Sequence, residues 1–336
     1  MGALRLGTNL MRQQLTYMDQ EEGKPALSDA ISADEDSIPM EAIPKGEKQA
    51  IYEFKWPKTN KKSKAKQQLE DACSIDACYH LISGVATITA AIIRVKQGYM
   101  PIEPDPELSH AANFLYMITG RKPTPVEERI MDIALILHAD HGMNASTFAS
   151  MVVASTLSDI YFSVGAGIAA LSGPLHGGAN EQVMLTLKEI GEADNVTPWL
   201  ERTLASKDKV VGFGHRVYKA YDPRARVLGP LAKYLVKGNS EIEPLFRIAQ
   251  KLEKEVVTQL GTEKNIFPNV DYYSGIVYSC LGIPTEMFTP IFAVSRVSGW
   301  TARVLEYLQN NRIFRPRAMY IGDFNKKFVP MGKRDK

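Results

Sequence analysis

Apolar and polar residues alternate along this chain with a helical period almost throughout. From Leu69 to Gln97 the sequence runs without proline and keeps apolar side chains at three- and four-residue intervals, which predicts one long helix. Pro101, Pro104 and Pro106 then break the chain. A short helix is predicted over Leu108 to Thr119, closed by Gly120. Pro123 and Pro125 precede Glu127 and Glu128, acids suited to a first helical turn, and the helix from Val126 continues to about His138. Asn144-Ala145-Ser146 can cap a further long helix through Ala170, whose Ala, Ser and Gly content allows close helix–helix approach. Another helical stretch covers Glu181 to Glu189. Strand signals are scarce and no repeat period suggests a solenoid, so the pattern predicts an almost all-α protein.

Residues 19–68 interrupt this pattern. Asp19 to Glu41 is acidic and holds Gly23, Pro25 and Pro39, whereas Lys55 to Lys66 holds six lysines. Opposite charge blocks with few large apolar residues predict a solvated loop or insertion. The basic run could meet a phosphate, but Trp56 is its only aromatic, and a nucleic-acid role is not expected. Composition sharpens the picture. The 336 residues allow two domains or one large one, and 45% hydrophobic with 23% charged residues excludes a wholly disordered chain. A net charge of +2 gives no global field for nucleic acid. Three cysteines cannot build a disulfide framework, and the C-x4-C spacing of Cys73 and Cys78 is not a common zinc half-site. A reducing, cytoplasmic compartment is therefore expected. The best apolar run, Ile160 to Leu171, falls short of the ~20 residues a membrane span needs. Met1 to Met18 lacks the apolar core of a secretory signal; it is acid-free and carries Arg5 and Arg12, and an ordinary amphipathic helix is preferred over a mitochondrial transit peptide.

Three segments carry candidate chemistry. In Leu137-His138-Ala139-Asp140-His141-Gly142, two histidines at i and i+3 could share a helix face and bind metal, but the H-E-x-x-H pattern is absent. In Gly173-Pro174-Leu175-His176-Gly177-Gly178, an imidazole sits in a turn just before a helix, where the dipole disfavours a positive charge. A neutral histidine there can donate to a developing oxyanion, as in the triosephosphate isomerase case. A structural histidine is the alternative. In Val211-Gly212-Phe213-Gly214-His215, followed by Lys219 and Asp222-Pro223-Arg224, glycines let the backbone approach a ligand, while His215 and Arg224 suit a carbonyl and a carboxylate. Downstream, Phe267-Pro268-Asn269-Val270-Asp271-Tyr272-Tyr273 puts one acid among aromatics, where burial would raise its pKa; a plain helix N-terminal aspartate is the alternative.

Taken together these segments resemble citrate synthases. The resemblance runs from about Gln97 to about Pro330 and rests on LHADHGMNAS, GPLHGGANE, VGFGHRVYK with DPR, FPNVDYYSG, Val294-Ser295-Arg296 and Phe314-Arg315-Pro316, in the family's order. It implies an all-α fold with a large helical domain over 1–177 and 283–336, and a small domain over 178–282 that closes on the substrates. It implies condensation of acetyl-CoA with oxaloacetate, then thioester hydrolysis. Asp271 matches the family's base, His176 the donor to the thioester oxygen and His215 the histidine that polarises the ketone. His141, Arg224 and Arg296 match oxaloacetate ligands, and Arg315 the arginine supplied by the neighbouring subunit of a homodimer. His138 is left a supporting role. Val211, Gly212, Phe213 and Gly214 match the CoA loop, and Lys219 lies where some members place a phosphate ligand. No metal and no cofactor beyond the CoA thioester is implied, nor a nucleic-acid or membrane partner. A 2-methylcitrate synthase acting on propionyl-CoA, or a non-catalytic CoA- or oxaloacetate-binding relative, is the alternative. The family's usual segment upstream of the helix that Ala3 to Gln13 resembles is not in this sequence, and residues 19–68 resemble an expanded connection.

Overall fold

The computed structural model describes residues 74–334 apart from Arg216. The predicted N-terminal helix, the two charge blocks and Cys73 lie outside the described residues. Eleven helices of ten residues or more follow in order: α1 Ile75–Lys96, α2 His110–Thr119, α3 Pro125–Ala139, α4 Ala145–Ser155, α5 Ile160–Leu171, α6 Ala179–Ile190, α7 Val196–Ala205, α8 Pro223–Leu235, α9 Ile242–Val256, α10 Val270–Cys280 and α11 Phe288–Leu308. Among the described residues there is no strand, only an isolated bridge between Phe213 and Pro268.

Local chemistry explains most boundaries. Ser74, Ser109 and Asn144 accept a backbone N–H at the starts of α1, α2 and α4, satisfying donors that have no partner within the helix. Thr124 and Glu127 form a reciprocal capping box at α3, with Pro125 at its first position. Gly120 closes α2 in the left-handed region. One expectation needs correction: the helix predicted from Asn144 through Ala170 is two helices. Leu157 turns left-handed at φ 63°, and the Asp159 side chain then accepts the Phe162 N–H to start α5. The apolar period continues across that turn, which hides it in the sequence.

Helix α11 is the axis of one packed group, lying against α1, α3, α4 and α5. Trp300 sits fully buried on it, and a Cβ at Gly167 of α5 would come within 2.9 Å of its ring, so the small residues of α5 admit the indole. Helix α1 is long and apolar enough to cross a membrane, unlike the shorter run first singled out. Its Leu81, Val85 and Ile93 are instead fully buried in the core against α2 and α11. A second group forms around α10, against which α6, α8 and α9 pack, with α7 lying on α9. His141, His176 and His215 fall on connections, whereas Asp271, Arg224 and Arg296 fall on α10, α8 and α11.

Candidate active site

His138 ends its helix inside the core. It is fully buried, its Nδ1 lies 2.8 Å from the Ala134 carbonyl, and its own carbonyl accepts Arg296 Nε–H at 2.6 Å. Burial pushes its pKa down to about 4, so it stays neutral and holds Arg296 through its backbone. The suggested metal-binding face does not form: α3 ends at Ala139, Asp140 is its extended cap, and His141 lies beyond the helix. Asp140 pairs with Arg303 at 2.8 Å.

His141 and His215 face each other with ring centroids 4.9 Å apart, and Tyr218 stacks on His215 at 4.7 Å. The His141 Nε2 is buried and unbonded among the described residues, a polar atom left open to a partner. His215 Nδ1 accepts two backbone N–H groups, from Val217 and Tyr218, each at 3.0 Å. Backbone N–H groups only donate, so the neutral ring must carry its proton on Nε2. Burial, His141 and Arg224 hold the His215 pKa below the usual histidine range.

His176 has the opposite tautomer. It stands in a turn closed by its N–H on the Gly173 carbonyl. The Ser146 N–H, at the start of α4, points at Nε2 from 3.2 Å, and Ser146 Oγ lies 2.8 Å away. A fixed backbone donor at Nε2 leaves the proton on Nδ1. Trp300 Nε1–H donates to Ser146 Oγ at 3.2 Å and steadies it. Burial and then Arg296 lower the His176 pKa. His176 thus stands just before α6, as expected, and also meets the start of α4, thirty residues upstream.

Asp271 occupies the first turn of α10. Its N–H is capped by Asn269 Oδ1 at 3.0 Å. Loss of water drives its carboxyl up to about 6, an effect only partly opposed by Arg224 and Arg296. Both readings of this residue therefore hold at once: it is a helix N-terminal acid, and its pKa lies close to where a general base works best.

The two arginines differ in setting. Arg224 makes a two-point pair with Asp222, Nε to Oδ1 at 3.1 Å and Nη2 to Oδ2 at 2.8 Å, and Asp222 also caps α8. Arg296 is buried, lies over the Phe292 ring at 4.6 Å and, among the described residues, forms no ion pair. Its pKa falls to about 10 through burial and then Arg224, which leaves it charged at neutral pH. Arg224 acts electrostatically on His141, His215 and Asp271, and Arg296 on His141, His176 and Asp271. The structure thereby brings six of the predicted residues into one field.

The glycine loop is locked to the Asp271 segment. Gly214 N–H donates to the Phe267 carbonyl at 2.8 Å, Asn269 N–H to Gly212 at 2.9 Å, and Asn269 Nδ2 to Gly214 at 3.1 Å. Gly212 sits at φ 82°, and a Cβ there would meet Val183 and Tyr272 at 2.7 and 2.8 Å, so no other residue fits. Val211 and Phe213 pack partly buried beside it. Lys219 and Arg315 stand exposed. Arg315 lies on the extended tail after α11 and is not gathered with the other candidates, while Phe314 beside it stacks on Tyr307 at 5.0 Å. Sequence reasoning placed Ser146 only in a helix cap and gave no role to Asn269 or Tyr218. Each lies in a quoted motif, but their bonds to His176, to the glycine loop and to His215 depend on the fold.

Two neutral imidazoles with opposite fixed tautomers, an elevated carboxyl and two guanidiniums stand together, groups of the kind that can remove a proton beside a carbonyl and hold the resulting oxyanion next to an acidic co-substrate. Acyl-CoA condensing enzymes are one class that needs such chemistry. The family model described as citrate synthase, C-terminal domain, matches residues 12–317. A citrate synthase of Synechocystis is 47% identical over 271 residues, covering 80% of this chain and 68% of its own length. One from Deinococcus radiodurans is 50% identical over 254 residues, covering 76% and 67%. Among solved structures, a Thermoplasma acidophilum citrate synthase in ternary complex with carboxymethyl coenzyme A and oxaloacetate superimposes with TM-score 0.74 at 40% identity, covering 86% of this chain and 74% of that one. A Pyrobaculum aerophilum citrate synthase gives 0.71 at 44% identity, covering 85% and 68%. The chain belongs to the citrate synthase family.

Proposed function

We propose that this chain joins the methyl carbon of acetyl-CoA to the ketone carbon of oxaloacetate and hydrolyses the resulting thioester to citrate and CoA. The observation that carries this reading is the pair of fixed tautomers. His176 presents an Nδ1–H and His215 an Nε2–H, and both stay neutral because burial and the arginines depress their pKa values. In this reading Asp271 takes a methyl proton while His176 Nδ1–H bonds the thioester oxygen, so negative charge never builds up on an unsupported enolate. The enolate carbon attacks the ketone, which His215 Nε2–H polarises, and the His215 proton passes to the new alkoxide. Water then cleaves the thioester and releases the CoA thiol.

Arg224, Arg296 and His141 hold the oxaloacetate carboxylates, with Arg315 supplied by a second copy of the chain in a homodimer. The buried, unbonded His141 Nε2 and the absence of an ion pair at Arg296 among the described residues support this division. The loop 211–214 and Lys219 receive the CoA nucleotide. Residues 178–282 close over the site after oxaloacetate binds, which keeps water from the enolate. A cytoplasmic location completes the reading and rests on cysteine usage alone. The test is CoA thiol release with oxaloacetate, comparing acetyl-CoA with propionyl-CoA. Faster release and citrate formation with acetyl-CoA are expected. Preference for propionyl-CoA would make the protein a 2-methylcitrate synthase, because one methylene is worth only about 1–3 kcal/mol in a pocket. No release with either would refute catalysis.

A further inference from the structure

Glu253 lies on α9, outside every motif that carries the chemistry. Its carboxylate accepts two phenolic hydroxyls at once, Tyr221 on one oxygen and Tyr273 on the other. Each tyrosine is joined by a short stretch of backbone to a candidate catalytic group. Tyr221 directly precedes Asp222, whose carboxylate grips Arg224 by two bonds. Tyr273 lies two residues past Asp271 in the same helical turn. One carboxylate therefore ties the loop that sets the arginine clamp to the helix that carries the base.

The surrounding packing makes that tie consequential. Helices α8 and α9 both lean on α10 rather than on each other. Between them is a cavity of about 440 Å³, walled by Tyr221, Arg226, Lys233, Phe246, Gln250 and Tyr273. Apolar contact cannot hold α8 against α9 across an open gap, because dispersion is lost when partner atoms are absent. Tyr273 is nevertheless almost fully buried, and Tyr221 is steadied by Arg226 over its ring at 5.2 Å. One turn before Glu253 on α9, the Ala249 carbonyl accepts Tyr272 OH at 2.7 Å, so α10 grips α9 at two levels. Glu253 is half-buried, and its carboxylate meets two donors from the two segments whose alignment the reaction requires.

We infer that Glu253 is a positioning residue, acting through Tyr221 and Tyr273 to fix the Arg224 clamp relative to Asp271. The inference rests on the citrate synthase reading above. Its two arms have separate signatures. Tyr221→Phe frees the Asp222 turn and should raise KM for oxaloacetate ~10-fold with kcat little changed. Tyr273→Phe frees the first turn of α10 and should lower kcat ~10-fold with the oxaloacetate KM little changed, since small misplacements of a reacting group cost one to two orders of magnitude. Glu253→Ala should show both effects, and Glu253→Gln, which keeps one acceptor oxygen, should recover part of the loss. In the Glu253→Ala background neither phenylalanine substitution should add a further effect.

The experiment is steady-state thiol release with all variants, well below their melting transitions, with calorimetric titration of oxaloacetate alone. The calorimetry reads the Tyr221 arm without turnover. If the phenylalanine variants keep wild-type kcat, KM and oxaloacetate affinity and lose only melting temperature, Glu253 is merely structural and the inference is overturned. If Glu253→Ala does not fold, those two variants decide the question. An inactive wild type that still binds oxaloacetate refutes the reaction, not the tie to the clamp; an active wild type with unaffected variants refutes the tie alone.

Discussion

Replacing Asp271 with Asn should abolish turnover and stabilise the fold, and the stability gain should depend on pH. The carboxyl titrates at about 6 in the folded protein, against an ordinary value of 3.8. Below pH ~4 the group is protonated in both folded and unfolded chains and contributes nothing. Between ~4 and ~6 the folded chain holds the proton more tightly, so stability falls as pH rises through this window. Above pH ~6 the folded protein carries a desolvated carboxylate at full cost. The gap of about 2 pH units corresponds to roughly 3 kcal/mol at 1.36 kcal/mol per unit. An acid in the first turn of α10 returns about 0.3–1 kcal/mol through the helix dipole, and Asn forfeits that part. The net gain for Asp271→Asn is then about 2 kcal/mol at pH 8 and near zero at pH 4. In a domain of this size that is a rise of about 4 °C in melting temperature. Scanning calorimetry of both proteins at pH 4, 6 and 8 reads the difference, while thiol release at pH 8 should fall by 10²–10⁴-fold. A variant less stable than wild type at pH 8, or a difference independent of pH, would refute the desolvated-base argument. So would near wild-type turnover.

The other predictions are more local. Ser146→Ala removes the hydroxyl beside His176 Nε2 and the acceptor for Trp300 Nε1–H; kcat should drop ~10-fold, with stability lowered by about 1–2 kcal/mol in urea melts from the orphaned indole. Arg315→Ala should raise the oxaloacetate KM ~100-fold and leave CoA affinity unchanged, and light scattering at assay concentration should show a dimer; an active monomer would contradict the shared site. Gly212→Ala forces a Cβ into Val183 and Tyr272 at a positive φ, and should cost about 2–4 kcal/mol by thermal melting along with CoA affinity; unchanged stability would mean that the loop relaxes freely.

The helical framework was legible because its signals are local. Pro125, Asn144 and Gly120 mark helix ends through their own local chemistry, and the structure places the ends within a residue or two of the expected positions. The break between α4 and α5 escaped notice because Leu157 is an ordinary apolar residue forced into a left-handed turn, and the period runs straight across it. The candidate residues were readable from motif chemistry and from the resemblance. Their protonation states were not. The His176 tautomer is set by Ser146, thirty residues away, and the Glu253 ties reach twenty and thirty-two residues along the chain. In the sequence Glu253 is one charge among several on a surface-like stretch of α9; only the fold gives it two phenols. The role of Asn269 was hidden in the same way, since a cap residue is expected before a helix but its grip on Gly212 and Gly214 is tertiary.

The central claim is that Asp271 and the neutral His176 together make an enolate of a bound acyl thioester. Proton exchange reads that step before any carbon–carbon bond forms. Acetyl-CoA in deuterated water, with the protein and an oxaloacetate analogue that lacks the ketone, should lose its methyl proton signal by NMR. The wild type should exchange these protons at a rate that saturates with acetyl-CoA, and Asp271→Asn should leave them at the buffer rate while still binding the analogue. Equal exchange by wild type and Asp271→Asn, or none by either while citrate is still formed, would contradict the account.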